Sequence, residues 1–292
     1  MDELFKQLRI SEVEKYPEII TNYAKVDEEF SEDMDILAFY DDDSLTAFYG
    51  YSKMDLKKFQ KAREYVMKQT ILSDIEWISI PEGSFQMGKP DSDHFRQANF
   101  GETHVTLSSY KMSKNLITFK QYDKYCKCMK KRLPKDEFQG RGKNPVFNVS
   151  WNQATEFAEW LGCRLPTDAE WEYACKTGSS LPFTGEGITL EDANLDNILE
   201  IKMIGSYPSN PWGLNDMIGN VYEWCSDWAN RLPSEPQINP TGPAEGDFKI
   251  TRGGSYKTSL THIGLLYKGF AEPKDAFNDI GFRLVLVEMN EN

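Results

Sequence analysis

An α+β fold, rich in loops with few short strands and helices, is predicted by three observations. Residues 77–87 alternate apolar and polar positions around Pro81, Glu82 and Gly83, the pattern of two short strands joined by a turn. Two helix starts carry one local signature, Ser150 with Gln153 and Thr167 with Glu170, in which each partner's side chain satisfies a free backbone N–H of the other. Residues 180–280 are rich in Gly, Pro, Asn and Asp and hold few long periodic runs, so loops and short strands are expected there.

The 292 residues have room for one large domain and a small one, and the boundary is placed at residue 75. Residues 1–75 form an acidic, mostly helical extension, with Asp41, Asp42 and Asp43 separating two aromatic stretches. Pro17 can open a helix carrying Ile19, Ile20, Tyr23 and Val26. A stronger helix is expected over residues 53–70, capped by Ser52, with Leu56, Phe59, Ala62 and Val66 on one face. The apolar content is too high for a disordered tail, so the extension docks on the main domain or on a partner.

In the main domain, 76–292, the first capping box opens a helix with Ala154, Phe157, Ala158 and Leu161 in register, ending at Gly162. The second opens a helix carrying Trp171, Tyr173, Ala174 and Cys175. Trp151, Trp160, Trp171, Trp224 and Trp228 are assigned to the core. Arg252 and Arg283 are assigned to buried hydrogen bonds, since a guanidinium with five donors can tie several loop carbonyls together.

A net charge of −13 argues against nucleic acid or an anionic membrane as partner and favours a basic ligand. The chain shows neither a charged-then-apolar leader nor an apolar run of about 18 residues, and its five cysteines fit reduced thiols, so a cytoplasmic location is expected. Cys126 and Cys128 lie in a helical run, where that spacing sends them apart around the axis.

Five ordered blocks carry a family resemblance: EWISIPEGSFQMG at 76–88, THVTLSSYKMSKNLITFKQYDKYC at 103–126, NPVFNVSWNQATEFAEWLGCRLPTDAEWEYACKTG at 144–178, GLNDMIGNVYEWCSDW at 213–228, and RGGSY with IGFRLV at 252–285. Together they resemble the formylglycine-generating enzymes, the sulfatase-modifying factors. The resemblance implies a variant of the C-type lectin fold, with an opening hairpin and long irregular loops. It implies a structural Ca2+ held by Asp216, the carbonyls of Gly219 and Val221, and Glu223, in keeping with calcium's preference for about six to eight oxygen ligands. A second calcium site would begin at Asn194 and Leu195, with Asp196 or Glu200 standing in for its acid.

Members of that family oxidise a cysteine with copper(I) held by two cysteines after the RGGS turn. Aligning on RGGSY puts Thr258 and Ile263 at those positions, and no cysteine follows Cys225. Copper(I) selects soft thiolates, so no copper is expected and the oxidase activity is expected to be lost. The same scaffold displays ligand-contacting positions between RGGS and IGFR in the proteins of diversity-generating retroelements. By matching, Lys257, Thr258, Ser259, Thr261, His262, Tyr267, Phe270 and Phe277 are candidates for a surface facing a protein or peptide ligand, with Leu265 and Leu266 assigned to the core. Two alternatives stay open: an oxidase or hydrolase using another residue set in the cleft, such as His262 with its neighbouring hydroxyls, and a structural subunit assembling through the acidic extension.

Overall fold

The computed structural model describes residues 53–88, 101–137, 140–178, 188–196, 200–260 and 268–287. The chain divides into two compact units, one of residues 1–71 with 124–132, the other of 72–123 with 133–292. Helix α1, Lys53–Ser73, forms where the 53–70 helix was expected and runs three residues further. A Glu64–Lys68 pair at i,i+4 spacing and a Thr70 hydroxyl bond to the Val66 carbonyl support it. The expected helix at Pro17 lies outside the described residues.

The second unit holds three small sheets. Strands β1 (Trp77–Ile80), β4 (Tyr110–Ser113), β11 (Val285–Leu286) and β5 (Cys163–Arg164) form the first, in that spatial order. The second runs β10 (Ile280–Gly281), β6 (Tyr222–Trp228), β8 (Lys249–Arg252) and β9 (Lys268–Ala271); the third runs β2 (Gly83–Gly88), β3 (Glu102–Leu107) and β7 (Gln237–Ile238). The opening hairpin is not one. Strand β1 pairs antiparallel with β4 and β2 with β3, so the chain changes sheet at Pro81–Gly83. Gly83 fits this step because a Cβ there would stand 2.3 Å from the Tyr173 hydroxyl and force that buried ring to shift.

Both capping boxes form as expected. Ser150 starts α3, Trp151–Trp160, with the Gln153 side chain bonded back to the Ser150 N–H, and Thr167 starts α4, Asp168–Lys176, with Glu170 doing the same. Helix α2, Phe119–Cys128, precedes them. Among the described residues no helix occurs between 188 and 287. The core of the second unit gathers Ile80, Phe85, Val105, Met112, Trp171, Leu214, Cys225 and Val285. Trp171 and Trp224 are fully buried, but Trp151, Trp160 and Trp228 are only half-buried. Trp151 and Trp228 stack on each other instead, and the Lys249 ammonium lies 3.9 and 3.8 Å from their ring centres.

Candidate functional site

The loops of the second unit rest on two buried guanidiniums. Arg283 and Glu223 are both fully buried and joined at 2.6 and 2.8 Å through two nitrogens and both carboxylate oxygens. Trp171 Nε1 donates to the same carboxylate at 2.9 Å. Arg283 also donates to the carbonyls of Ser113, Lys114 and Asn215, so it ties loops as the sequence predicted. Arg252 behaves differently. It pairs with Asp168 and Glu172 of α4 and touches no loop carbonyl among the described residues, because every residue of α4 is buried and its carboxylates need cations there. Burial pushes the Glu172 carboxyl up, but Arg252, Lys176 and Lys268 outweigh it and hold it at about 2.

The RGGS turn leads from Arg252 into the cleft. Thr258 is nearly buried, and its Oγ1 accepts the Ser255 N–H at 2.9 Å and meets the Tyr222 hydroxyl at 3.4 Å. The Ser255 hydroxyl lies 3.3 Å from Asp279 Oδ2. The Lys257 ammonium reaches Asn278 Oδ1 at 2.5 Å and Asp279 at 3.3 Å. The structure thus brings Ser255, Lys257 and Thr258 together with Tyr222, Asn278 and Asp279. Phe277 is 43 % exposed beside it, whereas Phe270, 39 % exposed, sits on β9 opposite Ile250 of β8. Ser259 is half-buried. Thr261, His262, Ile263, Leu265, Leu266 and Tyr267 lie outside the described residues. Sequence reasoning missed Tyr222, which meets Thr258, and Asn278 and Asp279, which meet Lys257 and Ser255; their closeness rests on the parallel pairing of β10 with β6.

The residues assigned to calcium fall into two environments. Asp216 takes a left-handed backbone conformation, φ 54°, and its carboxylate accepts the Gly205 N–H at 2.8 Å. Burial raises its carboxyl to about 6, against the smaller opposing pulls of that bond and of Arg283. A desolvated carboxylate of this kind fits a cation. Glu223 is already matched by Arg283. Asn194 is held against the Gly219–Asn220 turn: its carbonyl accepts the Asn220 N–H and its side-chain amide donates to Asn220 Oδ1. Leu195 is buried. The two candidate acids nearby are engaged, Asp196 by the Leu260 N–H and Glu200 by Lys202.

The thiols are quiet. Cys163, Cys175 and Cys225 are buried, and burial pushes Cys163 up to about 12 and the other two upward as well.

Known proteins place this scaffold. The serine/threonine-protein kinase pkn1 of Chlamydia pneumoniae is 31 % identical over 247 residues, 76 % of this chain and 39 % of that protein. The formylglycine-generating enzyme of Streptomyces coelicolor is 37 % identical over 171 residues, 51 % of this chain and 54 % of the enzyme. In solved structures, Treponema denticola variable protein 1 shares the fold with a TM-score of 0.63 at 23 % identity, over 73 % of this chain and 95 % of that one. The chain therefore spans about two fifths of the chlamydial relative and about half of the streptomycete one. Residues 62–287 match the family described as the sulfatase-modifying factor enzyme 1-like domain, and the chain belongs to that family.

Proposed function

We propose that this protein is a ligand-binding member of its family, without copper oxidase activity, that holds a protein or peptide through its C-terminal loops. The observation that carries this reading is Thr258. At a position where the family's chemistry needs a thiolate, a hydroxyl is bonded inward to Ser255 and Tyr222, and a hydroxyl does not hold copper(I). The buried, high-pKa thiols of Cys163, Cys175 and Cys225 are no replacement. Around the cleft, the exposed Lys257 and Phe277 offer the charge and apolar area that contact a partner.

A structural Ca2+ belongs to the same proposal, held by Asp216 with the Gly219 and Val221 carbonyls. Glu223, the fourth position of that set, is matched by Arg283 and would have to share its carboxylate with the ion. A net charge of −13 favours a basic rather than a nucleic-acid partner, and the free cysteines suit a reducing, cytoplasmic setting.

A second reading, an enzyme using another residue set, is favoured by the run of hydroxyls and carboxylate from Tyr222 through Thr258 and Ser255 to Asp279. Copper(I) titration and oxygen uptake with a cysteine-containing peptide test the first reading. The expected result is neither; stoichiometric copper binding with peptide-dependent oxygen uptake would overturn the loss of copper oxidase activity.

A further inference from the structure

Beside the loop that follows β6 lies a cavity of 470 Å³, a volume that holds a small organic molecule. It shares no residue with the Thr258 cleft. Met87, Leu232 and Ile250 give it apolar walls, and Asp227 also lines it although only 5 % exposed. One carboxylate oxygen of Asp227 is used: Oδ2 accepts the Asp168 N–H at 3.0 Å and the Ser226 hydroxyl at 2.9 Å. Among the described residues no hydrogen bond reaches Oδ1. Gly242, also in the lining, leaves space beside that atom, since a Cβ there would stand 3.1 Å from it.

Arg231 also lines the cavity, at an exposed position, and the buried cations nearest Asp227 are committed elsewhere. Lys268 and Arg252 bind Asp168, Lys249 lies against two tryptophans and donates to the Ser226 carbonyl, and Arg164 binds Glu170 through both oxygens. Burial, with Asp168 second, pushes the Asp227 carboxyl up to about 7, and Lys268 opposes this only in part. An unused carboxylate oxygen facing a cavity is completed by water or by a ligand that donates to it, and a cationic donor also offsets its charge.

We propose that this cavity is a second ligand site, taking a molecule with a primary ammonium on an apolar body, with Asp227 Oδ1 as the anchor. The ammonium supplies the missing donor and charge, and the walls take the carbon skeleton. Anionic ligands are disfavoured by Asp227 itself. A free amine and the lysine side chain of a peptide share this chemistry.

Calorimetric titration of the full chain with phenethylamine, 2-phenylethanol and a capped tripeptide with central lysine tests it. The amine should bind saturably at one site, and the alcohol should bind roughly ten-fold or more weakly, as should the amine to Asp227→Asn. Asp227→Asn keeps an acceptor for the Asp168 and Ser226 donors, and Thr241→Trp, at an exposed lining position, should block the site independently. At pH 7 the binding heat should depend on the buffer's ionisation enthalpy, because the bound ammonium drives a proton off Asp227. Tighter binding of the tripeptide assigns the site to a protein lysine, and tighter binding of phenethylamine to a free amine. No saturable heat from either ammonium probe, equal affinity for amine and alcohol, or unchanged affinity in both variants would overturn the proposal.

Discussion

Replacing Arg283 by Met removes the guanidinium that Glu223 faces with no solvent on either side. It leaves Glu223 with the single Trp171 donor and leaves the Ser113, Lys114 and Asn215 carbonyls without their Arg283 bonds. Breaking a buried ion pair from one side costs about 3–5 kcal/mol. At roughly 2–4 °C per kcal/mol for a unit of this size, the midpoint should fall by about 6–20 °C. Glu223→Gln on that background removes the stranded charge and should recover at least about 1 kcal/mol. Urea unfolding of wild type, Arg283→Met, Glu223→Gln and the double variant, all in chelator so that bound cations do not intervene, reads these differences from the midpoints at constant slope. A loss under about 1 kcal/mol in Arg283→Met, or a double variant as unstable as the two single losses added, would refute the ion pair as the tie between these loops.

Two further outcomes follow from burial. With its folded pKa raised to about 6 from 3.8, Asp216 holds a proton that the unfolded chain gives up, so in chelator stability falls as pH rises from about 4 to 6 and stays reduced above that. At pH 7.5 chelator should therefore lower the melting temperature of wild type and not of Asp216→Asn, and in chelator the variant should be the more stable; wild type without a chelator response and without calcium by elemental analysis would remove the site. For the thiols, Ellman's reagent at pH 8 should modify half-buried Cys128 first and reach Cys163, Cys175 and Cys225 only on unfolding, and early loss of Cys225 would contradict its burial.

What could be read in the sequence was what is local. Each capping box spans four residues and closes on itself, so Ser150 with Gln153 and Thr167 with Glu170 announce their helices without knowledge of the fold. Strand partners are not local. Trp77 pairs with Ser113 and Val285 with both Met112 and Arg164, and two-residue strands such as β5, β10 and β11 carry no periodicity to find. The same limit hid Asp168 and Glu172. Acids in the first turns of a helix suit its dipole and suggest a solvated face, yet α4 is buried along its whole length and they meet Arg252 across 84 and 80 positions of sequence. Lys249 is the converse case, a lysine in a strand whose buried ammonium is explained only by Trp151 and Trp228 closing over it. In the candidate site, positions 257–259 were proposed from the motif, while the approach of Tyr222 and Asp279 depends on β10 lying beside β6.

The two arginines also explain how one scaffold can change its loops. Arg252 immediately precedes the Gly253–Gly254 turn, and Arg283 follows Ile280–Gly281, so the segment bearing the cleft is pinned at both ends by fully buried guanidiniums. The entry is fixed further by Gly253, where φ is 86° and a Cβ would stand 3.0 Å from the Met217 carbonyl and 3.2 Å from Trp171. Between the pins, Lys257, Phe270 and Phe277 project into solvent, where substitutions typically cost within about 0.5 kcal/mol. Stability is thereby held at the pins, and the exposed positions between them hold little of it. Side chains along this segment can therefore change while its ends stay fixed, because the Arg283–Glu223–Trp171 knot is built from none of the exposed positions.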